Sequence, residues 1–133
     1  MPRKILDTNV LIDHWRTFGK KVRTANECKA HAEELIEVQG TNGIVSPVLI
    51  EFLAGAMSSE QLELHKAYLE PFVVLDRGMI PPGDWDQAKR FAQWNREGRP
   101  RDLGDCLVQA IAKRLNADVV SSDRGINRRV PPQ

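Results

Sequence analysis

Four short apolar runs, widely separated along the chain, are the feature that most restricts the possible folds. They are rich in Val, Ile and Leu, and they occupy residues 3–6, 43–46, 72–75 and 117–121. Apolar residues in these runs follow one another and do not alternate with polar ones. Continuous runs of this kind are typical of short strands that other elements cover on both faces.

The segments between these runs have the end signals and the apolar spacing of helices. Residues 26–39 form an amphipathic stretch that stops at Gly40, and Ser46-Pro47 resembles an N-cap followed by proline at the first helical position. We expect further helices at residues 9–15, from Ser58 or Ser59 to 70, at 83–97 and at 102–116. The last is apolar around most of its girth and should be largely buried. Strands that alternate with helices predict an α/β fold, with helices on both faces of a parallel sheet.

The composition is that of one ordinary globular domain. The chain has 133 residues, of which 41% are hydrophobic and 28% charged, and its formal net charge is +1. Neither Cys28 nor Cys106 belongs to a CxxC pair, so we expect no disulfide framework, no zinc site and a reducing compartment. Apolar runs stay below roughly 18 residues and no early segment resembles a signal peptide. The expected location is therefore cytoplasmic, away from membranes.

Four acidic residues are placed where the predicted topology favours their meeting at one edge of the sheet. Asp7 and Asp123 follow the first and last strands directly. Glu51 lies about one turn into the helix after the second strand, and Asp105 lies in the first turn of the buried helix. Functional crevices of parallel sheets lie outside the carboxyl ends of the strands. Converging carboxylates repel one another unless a cation lies between them, and oxygen ligands without His or Cys select Mg²⁺ or Mn²⁺. A metal held in this way supports hydrolysis of a phosphodiester without a covalent protein nucleophile.

Each acid also has a purely structural explanation. Asp7 could form a turn and N-cap, Asp123 could belong to an ordinary turn, and Glu51 could lie on an exposed helix face. Asp102 and Asp105 fit a D-x-x-D capping pattern, in which Asp102 is a cap in preference to a ligand and only supports the site. The metal site is favoured because all four proposed ligands fit the same edge of one topology.

The segments that carry these acids resemble the four motifs of PIN-domain nucleases. They read ILDTNVLID, SPVLIEFLAG, LGDCLVQAIA and ADVVSSDRG, and they follow in the family's order over nearly the whole chain. Within the family the likeness is to the small VapC-type toxins of type II toxin–antitoxin systems. The resemblance implies a single PIN domain over residues 1–133, with a three-layer α/β/α fold and a central parallel sheet of four to five short strands. After Asp123 the sequence soon ends in INRRVPPQ, where many relatives continue into another strand, so we expect a fifth strand to be short or missing.

The resemblance also implies roles for individual residues. By this likeness Asp7, Glu51, Asp105 and Asp123 are the catalytic acids that bind Mg²⁺ or Mn²⁺, and Asn9 supports the first of them. The implied activity is that of a metal-dependent endoribonuclease. Relatives of this type are usually homodimers, and a small antitoxin protein neutralises them by masking the site.

Basic residues near the last two acids give a candidate RNA surface. Between residues 99 and 133 the sequence has seven Lys or Arg against four Asp. The arginines in question are Arg99, Arg101, Arg124, Arg128 and Arg129. Such a rim suits phosphate contacts, which supply affinity without sequence choice, and an ordinary solvated surface is an equal alternative. The stretch that contains Arg16, Lys20, Lys21 and Arg23 is a second, weaker candidate.

Two other classes of protein stay open on the sequence. One is a regulatory or scaffold domain that keeps the fold and binds RNA or a partner without cleavage. The other is a receiver-like phosphotransfer domain, which also gathers Asp residues around Mg²⁺. Asp76 follows the third strand as that class requires, but the loop after the last strand offers Arg124 in place of a lysine. The histidines, His14, His31 and His65, are scattered on helices, and we assign them no catalytic role.

Overall fold

The structure is a computed structural model that describes residues 3–93 and 102–121. Its strands are β1 (Arg3–Leu6), β2 (Gly43–Ile44), β3 (Val73–Val74) and β4 (Ala117–Val120). Its helices are α1 (Thr8–Phe18), α2 (Ala25–Gln39), α3 (Ser46–Ala54), α4 (Ser59–Leu69), α5 (Pro82–Gln93) and α6 (Leu103–Leu115). All four predicted strands and all six predicted helices are present. The end of the helix predicted at 83–97 lies outside the described residues.

The strands pair in parallel, but in two small sheets. β1 pairs with β4 from Arg3 opposite Ala117 to Leu6 opposite Val120, whereas β2 pairs with β3 over two residues. The prediction of one central sheet of four to five strands is therefore wrong for the described residues, which form two two-stranded sheets. β2 is shorter than predicted because Val45 already serves as the N-cap of α3.

The two sheets are neighbours through β1 and β2. The Thr41 hydroxyl donates a hydrogen bond of 2.8 Å to the backbone carbonyl of Lys4. A Cβ atom at Gly43 would lie 2.8 Å from the same carbonyl oxygen, so only glycine allows this close approach. The start of β2 thus lies beside β1, and the residues after both strands meet again where Thr8 contacts Glu51. The two strands therefore run in the same direction, and their carboxyl ends share one edge.

The core surrounds the strands and the helix α6. Ile5, Leu6 and Ile44 have no exposed surface, and neither do Val108 and Ile111 of α6. The prediction that this helix is largely buried is confirmed. A smaller apolar cluster joins α5 to α6 and contains the buried Cys106. Within the part of the chain described, no helix is both long enough and apolar enough to cross a membrane.

The start of helix α3 is capped by a side chain from a distant part of the chain. Its N-cap is Val45, one residue before the predicted Ser46, and valine has no acceptor for the free N–H groups of a first turn. The Oδ1 atom of Asp76 supplies that acceptor, because it receives a hydrogen bond of 3.0 Å from the backbone N–H of Ser46. Asp76 is only 5% exposed. This buried carboxylate therefore fixes the start of the helix that carries Glu51.

The histidines belong to an aromatic cluster that joins α1, α2 and α4. The Nδ1 atom of His14 lies 2.7 Å from the hydroxyl of Tyr68, and His31 stacks on an aromatic ring of α1. The Nδ1 atom of His65 lies 2.9 Å from the carbonyl oxygen of Phe52, which can only accept, so Nδ1 carries the proton. Burial lowers the pKa of both His14 and His65. These contacts give the histidines a packing role.

Candidate metal centre

Asp7 occupies the carboxyl end of β1 with a buried carboxylate. Its backbone N–H extends the β1–β4 pairing, with a hydrogen bond of 2.9 Å to the carbonyl of Val120. The residue is 2% exposed and holds the N-cap position of α1, yet its side chain accepts no capping hydrogen bond from that helix. The Ser121 hydroxyl donates to Asp7 Oδ2 over 3.2 Å. The carboxylate is thus held at the strand edge by a residue after β4, and capping does not explain its position.

Glu51 meets the start of α1 from the neighbouring helix α3. The Thr8 hydroxyl, which is buried, donates a hydrogen bond of 2.9 Å to Glu51 Oε1. Although Glu51 as a whole residue is exposed, lost hydration raises the pKa of its carboxyl group, and the nearby charges of Asp102 and Asp7 raise it further. The hydrogen bond from Thr8 acts in the opposite direction. Negative charge is therefore concentrated here, and a cation would relieve it.

The first turn of α6 lies against the Glu51 carboxylate. The Asp102 side chain accepts a hydrogen bond of 2.8 Å from the backbone N–H of Asp105, so Asp102 is the N-cap of this helix, as predicted. A Cβ atom at Gly104 would lie 2.8 Å from Glu51 Oε1 and 3.5 Å from Asp102 Oδ1. The backbone of α6 thus touches the Glu51 carboxylate. Asp105, in the same turn, is half-buried.

A sequence model of the PIN domain matches residues 4–130, which is nearly the whole chain. The chain belongs to the PIN domain family. Searches of curated proteins and of solved structures gave no match. PIN domains have an α/β fold and are generally metal-dependent nucleases that use divalent metals. The acids at the carboxyl ends of β1 and β2 are therefore the natural place for chemistry in this PIN domain.

The predicted acids of the PIN domain are only partly brought together. Asp7 and Glu51 interact electrostatically, and the first turn of α6 brings Asp105 into the neighbourhood through Gly104. Considering residues 3–93 and 102–121 alone, no three His, Cys, Asp or Glu side chains form a closed metal-binding group. Asp123 lies outside these residues, as do the arginines predicted to contact RNA. Those arginines are Arg99, Arg101, Arg124, Arg128 and Arg129.

Two hydroxyl donors join the supporting residues that the sequence suggested for this PIN domain. Thr8 donates to Glu51 and Ser121 donates to Asp7, while Asn9, which was predicted to support Asp7, is exposed. Both donors had a signal in the sequence, since each lies within two residues of a strand end and within two residues of a predicted ligand. Gly104 had a weaker signal, as a glycine in the first turn of a helix between two acids.

The donor set suits a hard divalent cation. The contacts between β1, α3 and α6 are made by carboxylate and hydroxyl oxygens, from Asp7, Thr8, Glu51, Asp102 and Ser121. Oxygen donors are those that Mg²⁺ and Mn²⁺ prefer. Burial of the Asp7 carboxylate costs hydration free energy, and lost hydration and nearby negative charges raise the pKa of Glu51. A bound divalent cation would offset both effects. The residues present therefore fit the metal that the family uses.

Proposed function

We propose that this PIN domain is an endoribonuclease that hydrolyses RNA phosphodiester bonds, and that Asp7, Glu51, Asp105 and Asp123 hold its Mg²⁺ or Mn²⁺. The observation that carries the proposal is the position of Glu51. Its carboxylate is fixed by Thr8 and approached by Asp7 and by the start of α6, at the carboxyl ends of two parallel strands. The choice of RNA as substrate follows the resemblance to VapC-type toxins.

The chain's own residues would act by holding carboxylates in place. Thr8 orients Glu51, Ser121 orients Asp7, and Asp102 fixes the first turn of α6 so that Asp105 projects from a constant position. When bound, the metal supplies Lewis acidity toward the phosphodiester and lowers the pKa of attacking water. Because a metal of this kind activates water as the nucleophile, the proposed hydrolysis needs no covalent step on the protein. Supporting residues of this kind typically affect metal affinity or activity by about 10–100-fold.

Cleavage of a 5′-labelled structured RNA tests the activity. The purified chain is incubated with Mg²⁺ or Mn²⁺, then with EDTA, and the variants Asp7→Asn and Asp105→Asn are compared with Asp86→Asn. Asp86 is an exposed residue of α5 that pairs only loosely with Lys89, over 3.7 Å, and serves as the matched control. We expect EDTA and both site variants to reduce cleavage by at least about a hundredfold, with no change in the control. Cleavage that persists in EDTA, or in the site variants, contradicts the metal mechanism.

A non-cleaving regulatory domain is the outcome to compare with this one. Measured metal binding without cleavage of any RNA would favour it. The receiver-like class is not supported by the position of Asp76, because its carboxylate is buried and accepts a hydrogen bond from α3. Labelling of the protein by acetyl phosphate would restore that class.

We further propose that the chain acts in the cytoplasm as the homodimeric toxin of a toxin–antitoxin pair. The basis is again the resemblance to VapC-type toxins. Induction in cells should stop growth with wild-type protein and not with Asp7→Asn. The product of the adjacent gene should co-purify with wild-type protein and with Asp7→Asn, because the substitution alters only a buried side chain. Equal growth arrest by the two forms would contradict the toxin role.

A further inference from the structure

An open pocket lies where the end of α1 approaches the start of α4. It has a volume of about 490 Å³ and is lined by Trp15, Arg16, Gly19, Lys20 and Gln61. This volume lies within the range of pockets that bind small ligands or single nucleotides. None of the residues predicted as metal ligands lines it, so it is separate from the candidate metal centre.

The side chains around the pocket offer hydrogen-bond donors and positive charge. Arg16 and Lys20 are exposed cations, and an indole N–H can only donate. The Oε1 atom of Gln61 already accepts from the backbone N–H of Met57, which leaves the amide NH₂ group as a donor. Arg16 pairs with the Asp13 carboxylate at 3.9 Å, in an exposed pair that contributes little. A ligand that matches this pocket is rich in acceptors and negatively charged, as a nucleic-acid strand is.

The indole of Trp15 is held by aromatic neighbours and lies against Gly19. Four rings pack around it, with centroids 4.5–5.8 Å away: Phe18, Phe52, His65 and Tyr68. A Cβ atom at Gly19 would lie 2.5 Å from Trp15 Nε1, so glycine is what allows the indole edge to sit here. A base in the pocket would therefore meet a ring whose position is fixed and whose N–H can donate.

The helix α1 connects this pocket to the acids. Thr8, at its start, contacts Glu51, and Trp15 lies seven residues further, which is about 10 Å along the helix axis. We propose that the pocket binds the single-stranded RNA substrate beside the scissile phosphate. Arg16 and Lys20 contact backbone phosphates, while Trp15 and Gln61 donate to acceptor atoms of one base. This inference rests on the proposed function for the identity of the nucleic acid.

RNA binding by the intact chain in EDTA, where no cleavage is expected, tests the pocket directly. The probe is a fluorescein-labelled single-stranded RNA of 12 nucleotides, followed by anisotropy at several salt concentrations. The double variant Arg16→Gln/Lys20→Gln is compared with Lys21→Gln, which removes a neighbouring exposed charge outside the pocket. We expect the double variant to bind about tenfold more weakly and to lower the slope of log K against log salt by about 1.4. Loss of any one charge would give the control about half of these effects, and we expect it to show clearly less than half, because Lys21 lies outside the pocket. Half of the double variant's effect or more in the control overturns the proposal.

Cleavage kinetics separate failure of this proposal from failure of the proposed function. In an active enzyme, the double variant should raise KM about tenfold and leave kcat unchanged, whereas Asp7→Asn should lower kcat. RNA binding that depends on the pocket in a protein that never cleaves would uphold the pocket and refute the nuclease activity. Cleavage with an unchanged KM in the double variant would uphold the nuclease activity and refute the pocket as an RNA site. A Gln61→Glu variant, which replaces a donor with a carboxylate, should weaken RNA binding at least as much as Lys20→Gln alone, and unchanged binding would count against the base contact.

Discussion

Replacement of Gly104 by alanine should separate the stability of this protein from its activity. Gly104 lies in the first turn of α6, where alanine is favoured over glycine by up to about 1 kcal/mol. The new Cβ atom, however, would lie 2.8 Å from Glu51 Oε1 and 3.2 Å from Glu51 Cδ. For ordinary van der Waals contact, the distance from this Cβ atom to Oε1 must reach at least 3.4 Å, so the oxygen must move by about 0.6 Å, which exceeds the tolerance of roughly 0.2 Å for a metal–ligand distance. The movement would also disturb the 2.9 Å hydrogen bond from Thr8. Moving a flexible side chain costs little, so the fold should tolerate the change.

We therefore expect Gly104→Ala to keep or slightly raise the free energy of unfolding in guanidinium chloride. Its affinity for Mn²⁺ by calorimetry and its rate of RNA cleavage should both fall by about 10–100-fold. Gly83→Ala is the matched control, because Gly83 also lies in the first turn of a helix and its Cβ atom would meet nothing within 4 Å. The control should gain similar stability without loss of activity. Wild-type metal affinity and rate in a folded Gly104→Ala protein would refute the proposed contact between α6 and the site.

Three further predictions concern buried or crowded charges. Glu51→Gln should raise stability at neutral pH by less than about 1 kcal/mol while it abolishes cleavage. Burial raises the pKa of Glu51, so its negative charge opposes folding at pH values above its ordinary pKa of 4.5. The gain in free energy of unfolding, measured with urea, should therefore vanish below that pH. A gain that persists there would exclude this cause. Burial lowers the pKa of His65, so the unfolded chain takes up the proton first and stability should fall as the pH drops below about 6.5. In His65→Gln this loss between pH 7.5 and 5 should be smaller, and an unchanged profile would show that other groups cause it. Asp76→Ala should lower the free energy of unfolding by about 1–2 kcal/mol, because the N–H of Ser46 loses its acceptor. Asp76→Asn keeps an acceptor oxygen and should recover most of this loss. Equal losses in the two variants would assign the effect to packing.

Features that depend on local sequence were predictable. The first strand begins and ends as predicted, and the last ends one residue earlier, because the apolar runs are short and flanked by clear helix signals. The positions of Gly40 and Asp102 at helix ends followed from their chemistry, and both are confirmed. The buried face of α6 followed from its apolar periodicity. These properties are set by interactions between residues only a few positions apart.

Features that depend on distant contacts were not predictable. The sequence placed Ser46 at the N-cap of α3, but the capping carboxylate comes from Asp76, thirty residues later. The extent of β2 and β3 was overestimated because this helix begins so soon after β2. In the site, the topology predicted that Asp7 and Glu51 are neighbours. The donors on their carboxylates, and the close approach of α6, depend on helix packing that a single sequence does not reveal.

Titration with Mn²⁺, followed by electron paramagnetic resonance of the free ion, tests whether Asp7 and Glu51 contribute to one divalent-metal site at the carboxyl ends of β1 and β2. Wild-type protein and Asp86→Asn should bind Mn²⁺ with the same affinity, and Asp7→Asn and Glu51→Gln should each bind it at least tenfold more weakly. Equal Mn²⁺ affinity in all four proteins would show that these two carboxylates do not hold the metal.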